Sequence, residues 1–489
     1  MGNVMYKILS FLHKLTGCLL CLLFFMWFTS GIVMIYHGFP RARADKQLAV
    51  QQPLARDIMA VEALQAALPD TVHVSGLSVQ MLLDEPVFKL ASGREVTILS
   101  ARDLSPVEVT REMTLRSWCQ APVARIDTLM KLDQWIPFGS NKKEFPIYKY
   151  HFDDPERHQL YLGSQTGRVL QFTTHEERVW ACFSAIPHWV YFTRLRQELQ
   201  TWRAFVKWAA GIGVGMIILG LVLAIRMAVK TRKALPYKKK WYNWHYILGF
   251  VFGLFAAIFA FSGLMSLEDL PDFLRKGDRK IGEVRPREIT TAGVPLEGYT
   301  LDYRDALAAY PEAKILEWSD SKGYPYYKLT LAPKVFRLVD ATGGTVRPFV
   351  LTEELVRQEM QRHYGDSIPY RVELIHEFDK DYHLRKVKET SLPVYRVTVE
   401  DYMHTRWYFN PVTLDVRRCD DDTRTMDWLY QKPHTLDFKF LTDRPWLWNL
   451  VMYTLMLGGT ALSVTGIVLS VRWLARGIRR VARKKPVHK

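Results

Sequence analysis

The sequence has few of the devices that organise a chain covalently or around a nucleotide. Five cysteines in 489 residues provide no disulfide framework. Cys18 and Cys21 lie inside an apolar run, where a thiol has neither water nor a neighbouring charge to activate it, so they read as packing residues. Cys119, Cys182 and Cys419 fall in polar sequence, and their spacing alone does not support a Cys119–Cys182 bridge. No G-x-G-x-x-G loop occurs, which argues against a built-in dinucleotide domain. Acidic residues are absent from 226–240 and from 472–489, although both stretches are rich in Lys and Arg. The usual nucleic-acid-binding motifs are also missing, so the net charge of +16 does not indicate a nucleic-acid partner.

Long uncharged runs are what the sequence does have, and they alternate with ordinary mixed-charge segments. Four of them exceed the roughly 20 apolar residues needed to cross a hydrocarbon core of about 30 Å. The chain divides into a span at 8–37, a polar segment at 40–199, a span at 203–229, a basic linker at 230–240, a span at 241–268, a second polar segment at 269–442, a span at 445–474 and a basic tail at 475–489. The positive-inside rule places linker and tail in the cytoplasm and both polar segments outside. The first run, with Lys7 and Lys14 ahead of it, has the outline of a secretory signal, but its length and internal repetition favour a retained span. Trp202 and Trp208 at the start of the second span suggest an interfacial aromatic belt.

The spans repeat. His13, Gly17, Ser30 and Gly31 recur at one constant offset as His245, Gly249, Ser262 and Gly263. Pro187, His188, Trp202, Gly220 and Arg226 recur at another as Pro433, His434, Trp448, Gly466 and Arg472. Span, polar segment and span therefore occur twice, as parallel repeats.

Each polar segment reads as a small α+β domain. Helices are expected at Arg56–Leu68, stopped by Pro69, at Leu301–Tyr310, stopped by Pro311, and at Glu353–Tyr364, with Thr352 as N-cap and Gly365 as C-cap. Strands are expected at His73–Leu83, Val87–Leu90, Glu95–Leu99, Tyr148–Phe152 and Gln159–Leu162, then at Tyr326–Leu331, Phe336–Val339, Val394–Val399 and Arg406–Phe409. Turns at Thr166-Gly167-Arg168 and Asp340–Gly344 separate some of them.

Of fourteen histidines, His73, His151, His158, His175, His363, His404 and His488 sit in polar sequence and read as solvated or structural. His376 and His383 flank Glu377, Asp379 and Asp381, a set able in principle to bind a hard cation, but it reads as a solvated acidic loop. The repeat singles out four others. His13 and His245 lie at the cytoplasmic ends of their spans, and His188 and His434 stand just before the returning spans on the outer side. A twofold arrangement would bring each pair face to face as two axial ligands for a haem iron, although pairing with residues outside the motif stays open. From His13 to the outer end of its span is about 36 Å at 1.5 Å per residue, too far for one porphyrin. Two sites, one near each membrane face, would let electrons cross. His37 has no counterpart, since Asp269 holds the matching position, and is a candidate third outer-side group or an interfacial residue.

A span with H-x3-G and a distal Ser-Gly, external domains with a helix closed by Pro and strands leading to a Thr-Gly turn, and a Pro-His before each returning span resemble the PepSY-associated transmembrane family. That family includes inner-membrane ferric-siderophore reductases. The resemblance implies an α+β membrane protein: a four-helix transmembrane bundle built from two parallel repeats, each carrying a periplasmic PepSY-like domain. It implies two b-type haems on His13, His245, His188 and His434, and reduction of a ferric siderophore or other ferric chelate in the periplasm. Membrane lipid surrounds the bundle, and a quinol or a cytoplasmic flavoprotein would donate the electrons. No catalytic residue is assigned. Two other readings remain: a non-enzymatic protein whose PepSY-like domains bind a peptide, protease or partner, and an iron or chelate uptake component. The spans carry few buried charges and no obvious broken helices, which supports transport weakly.

Overall fold

Four helices are long and apolar enough to cross a membrane: α1 (Asn3–Met34), α2 (Leu199–Thr231), α3 (Lys240–Met265) and α4 (Pro445–Lys484). The computed structural model describes residues 3–67, 75–93, 95–277, 298–320, 324–383 and 392–484. His73, His488 and the helix stop expected at Pro69 lie outside them. α4 continues well past position 474, because its arginine-rich end contains no helix breaker before Pro486. The helices form a ring in which α1 packs on α2 and α4, and α3 packs on the same two. Aromatic residues on one side meet small residues on the other. Phe24 and Phe28 are buried among Ala256, Ala257 and Ala260. A Cβ on Gly213 would lie 2.5 Å from Phe24, and one on Gly459 2.5 Å from Phe28. Close helix approach through small residues is the usual packing solution where lipid supplies no hydrophobic drive.

The polar segments build three antiparallel sheets from fourteen strands among the described residues. β1 (Gly76–Leu82), β2 (Glu85–Ser92) and β3 (Glu95–Ser100) come from the first segment. So do β4 (Val123–Leu129), β5 (Ile147–Phe152), β6 (Gln159–Gly163) and β7 (Val169–Thr173). The second segment contributes β8 (Ile315–Asp320), β9 (Pro325–Ala332), β10 (Val335–Asp340), β11 (Tyr370–Ile375), β12 (Val394–Val399), β13 (Arg406–Phe409) and β14 (Val416–Cys419). β4–β7 and β11–β14 each form a four-stranded sheet within one segment. The third sheet has six strands in the order β10-β9-β8-β1-β2-β3 and joins the two segments.

The join is made by β1 and β8, which pair antiparallel with Leu77 opposite Trp318 and Val79 opposite Leu316. Each of these side chains is buried, and they share one core with Leu64, Phe88, Tyr303, Tyr327 and Leu329. Alternation of buried and half-buried residues along β9 is the signature of a strand with one face on a core. The segments therefore share an interior, where the sequence suggested two separate units. A strand edge exposed in either segment alone would invite unwanted pairing, and here each edge covers the other.

Local expectations hold in several places. Thr352 caps the helix Glu353–Tyr364 by accepting from the Leu355 amide, and Gly365 closes it at φ +57°. Gly167 turns at φ +66° before β7. The acidic loop is different. Asp379 accepts from Arg396 at 3.0 Å and Tyr408 at 2.9 Å, and Asp381 accepts from Arg406 and Arg424, each at 3.0 Å. Four of these partners are remote in sequence, so adjacent acids that read as solvated are in fact paired inside the fold. Cys119 is buried, Cys182 is exposed, and both are free.

Candidate functional site

His13 projects from the first part of α1 and His245 from the start of α3, and their ring centroids lie 6.2 Å apart. His188 ends the short helix Ala185–His188, and His434 sits in the last turn of a helical run from Asp421 to Thr435 that is π-helical at Asp427–Gln431. Their centroids are also 6.2 Å apart. The structure thus brings together both pairs singled out by the repeat. His37 lies in neither pair: it stacks flat on Trp180, with centroids 4.3 Å apart. Other histidines have ordinary carboxylate neighbours, His151 with Asp127, His158 with Asp154, His363 with Glu359 and His404 with Asp421.

Hydrogen bonding fixes the tautomer of all four paired imidazoles. His13 Nδ1 lies 2.9 Å from the Met216 carbonyl, which can only accept, so Nδ1 carries the proton. His188 Nδ1 does the same toward the Trp27 carbonyl at 3.2 Å, with Ser30 Oγ at 3.4 Å. His245 Nδ1 meets Thr465 Oγ1 at 2.9 Å. That hydroxyl donates its single proton to the Leu462 carbonyl at 2.7 Å and must accept from the ring. His434 Nδ1 meets Ser262 Oγ at 3.0 Å, and Ser262 likewise donates to the Phe259 carbonyl at 3.0 Å. Each Nε2 is left with a lone pair and no hydrogen-bond partner among the described residues. Anchoring one ring nitrogen while freeing the other is how proteins orient histidine ligands of metals. Burial, and for His188 also the neighbouring His434, pushes the pKa of both outer imidazoles down to about 4, so they are neutral at physiological pH.

The residues repeated between the two halves converge on these rings. A Cβ on Gly220 would meet His13 Cε1 at 2.7 Å, and one on Gly466 would meet His245 Cε1 at 3.7 Å. Gly31 stands in the same relation to His188 at 3.2 Å, and Gly263 to His434 at 3.5 Å. Ser30 and Ser262, 2% and 0% exposed, reach the Nδ1 atoms. Trp202 and Trp448 correct the aromatic-belt expectation for Trp202. Both are buried, and their indole N–H groups donate to the Trp189 and Thr435 carbonyls, each one residue after the outer histidine. Trp208, 72% exposed, stays on the lipid-facing surface. The segments after the outer histidines turn through left-handed residues, Val190 at φ 54° and Leu436 at φ 51°. Neither residue type favours that region; the buried indole bonds hold the turns in place. The glycines and serines stood out in the sequence as repeated but had no role there, and Trp202 had a different one. Only their recurrence pointed to a role.

A cavity of about 270 Å³ opens between the helices around the first pair. His13 and His245 line it together with Gly17 and Gly249, each one turn further along the same helix. Phe24 and Phe28 close its inner end. From there ring contacts continue from Phe24 to Phe28, Phe259 and His434, at 6.4, 6.3 and 6.4 Å. His13 and the Ser30-Gly31 step that supports His188 are separated by about 26 Å along α1 at 1.5 Å per residue.

Fold and site together define a multi-pass α+β membrane protein whose four-helix bundle gathers two pairs of half-buried histidines. The chain belongs to the family of the PepSY-associated TM region, which matches residues 12–476. No curated protein and no solved structure matches it.

Proposed function

We propose that the protein is a two-haem electron-transfer enzyme of the bacterial inner membrane that reduces ferric iron in a chelate, as in a ferric siderophore, on the periplasmic side. The single observation that carries this reading is the state of the four histidines: each is oriented through Nδ1, has an Nε2 without a hydrogen-bond partner among the described residues, and lies with its ring 6.2 Å from that of the matching histidine of the other half. Two nitrogen ligands at roughly 2 Å from a metal, with about 1 Å more from each nitrogen to its ring centre, put the centroids about 6 Å apart, close to the 6.2 Å of both pairs. Gly17 and Gly249 leave space beside the inner pair that a Cβ would fill, as a flat macrocycle requires. Both donor sets suit a b-type haem, and the cavity lined by His13 and His245 supports one beside the inner pair. The matched roles of Ser30 and Ser262, Gly31 and Gly263, and Trp202 and Trp448 support reading the chain as two parallel repeats.

Bound haem would supply a one-electron carrier at each site. His13, Met216 and Gly220 orient and seat one inner ligand, and His245, Thr465 and Gly466 the other. Trp202 and Trp448 hold the C-terminal ends of the helical segments that carry His188 and His434. Phe24, Phe28 and Phe259 fill the space between the levels and exclude water from it. Basic residues at 226–240 and 472–489 orient the inner pair to the cytoplasm, where a quinol or a reduced flavoprotein would be oxidised. Each electron that leaves the outer site reduces one ferric ion to ferrous and weakens its hold on hard oxygen donors.

Haem content of the purified protein tests the reading. Two haems per chain are expected, falling to one in His13→Ala and to one, spectrally different, in His188→Ala. A protein free of haem after expression with ample haem supply would refute it and favour a non-enzymatic PepSY protein. Two haems retained in both variants would show the ligands to be other residues.

A further inference from the structure

The outer pair adjoins a second cavity, of about 480 Å³, between the bundle and the β-domains. Lys432 and Asp437, on either side of His434, both line it. Its charges are unequal. Asp443 is matched by Lys439 at 2.6 Å, and Asp437 by His383 at 3.0 Å. Lys380, Lys432 and Arg444 meet no carboxylate among the described residues. Lys432 lies 4.5 Å over the Trp428 ring, and Arg444 donates to the Phe440 carbonyl at 3.2 Å. His383 is 3% exposed, and its Nδ1 has no hydrogen-bond partner. Phe438 and Phe440, with centroids 6.0 Å apart, form an aromatic wall on the same cavity.

From this we infer that the cleft is a binding site for a net-anionic ferric chelate, one whose iron is held by carboxylate or catecholate oxygens. The inference rests on the electron-transfer reading for its location, since a chelate seated there lies against the segment carrying His434. Lys380, Lys432 and Arg444, which meet no carboxylate among the described residues, offer charge-assisted hydrogen bonds to such oxygens, and the phenylalanines accept aryl rings. A positively charged hydroxamate chelate meets like charge and is disfavoured. The cleft stands close to the start of α4, so a lipid phosphate offers similar oxygens. Lys380 and His383, however, come from the β-domain side and close the cavity away from the bundle.

Gallium(III) replaces iron in these chelates without being reduced, which separates binding from electron transfer. Binding of a gallium tris-catecholate and of a cationic gallium trihydroxamate to the full-length protein in zwitterionic nanodiscs is measured by equilibrium dialysis. The anionic complex is expected to bind at least ten-fold tighter, with affinity falling as salt rises. Lys432→Gln with Arg444→Gln should weaken it by about ten-fold, and Lys380→Gln alone by several-fold, with the haem absorption unchanged as a check on folding. Equal binding of both complexes, indifference to all three substitutions, or displacement by anionic phospholipid at ordinary membrane proportions would overturn the inference. Because gallium binding needs no haem, a haem-free protein that still selects the anionic complex would defeat the electron-transfer reading alone. A haem-loaded protein that ignores charge would defeat only this one.

Discussion

At the scale of single residues, the histidines are set by their neighbours rather than by their own position on a helix. Gly220 and Gly466 are matched in sequence but not in clearance, since a Cβ would stand 2.7 Å from His13 in one case and 3.7 Å from His245 in the other. Gly220→Ala must therefore displace the His13 ring, whereas Gly466→Ala makes only an ordinary contact. Titration of apo-protein with haem should show at least ten-fold weaker inner-site affinity in Gly220→Ala and near-native affinity in Gly466→Ala. Ser262 offers a different lever. Removing its hydroxyl leaves the buried Nδ1–H of His434 without its acceptor, and orienting partners of metal ligands are commonly worth 10–100-fold in affinity. On the two-haem reading, Ser262→Ala should weaken haem binding at the outer site within that range and leave the inner site unaffected, read by titration of apo-protein with haem. Comparable loss at both sites would mean that Ser262 serves the bundle as a whole.

At the scale of elements, His188 closes a helix of only four residues, too short to be stable alone, whereas His434 lies in the last turn of a helical run from Asp421 to Thr435 that is π-helical at Asp427–Gln431. Tertiary bonds hold both, chiefly the indole N–H of Trp202 and of Trp448. Trp448→Phe keeps most of the packing and removes one hydrogen bond of about 1 kcal/mol. Faster hydrogen exchange confined to 430–438 is the expected result. The shared sheet makes a larger demand. Trp318 is 3% exposed in a core drawn from both segments, and its replacement by Ala should cost about 3–5 kcal/mol, visible as a lowered midpoint of β-domain unfolding. The four spans and the helix Glu353–Tyr364 were legible in the sequence because hydropathy, the Thr352 cap and the Gly365 stop are local signals. The pairing of β1 with β8 was not, because period-two alternation shows that a strand has a buried face but not which strand lies beside it. The ion network of Asp379 and Asp381 was hidden for the same reason: its arginines lie on other elements.

At the scale of the whole molecule, both histidine pairs take one member from each half of the chain, and the six-stranded sheet takes three strands from each. His13 and His188 precede the basic linker, and His245 and His434 follow it. A protein cut in the linker at about position 235 should give two halves that separately bind no haem, and that regain both sites when produced together. Haem bound stably by the first half alone would require a partner for His13 or His188 within that half, as the open alternative in the sequence allowed. Recurrence of His, Gly, Ser and Trp made the candidate site readable; the direction of each Nδ1 bond, which leaves Nε2 of a repeated histidine without a partner among the described residues, was not encoded in any spacing.

Low-temperature electron paramagnetic resonance of the oxidised full-length protein, together with its near-infrared magnetic circular dichroism, reports axial ligation directly. The account predicts two low-spin ferric haems, each with two neutral imidazole ligands, one lost in His245→Ala and the other in His434→Ala. High-spin haem, a non-histidine axial ligand, or no haem signal at all would contradict it.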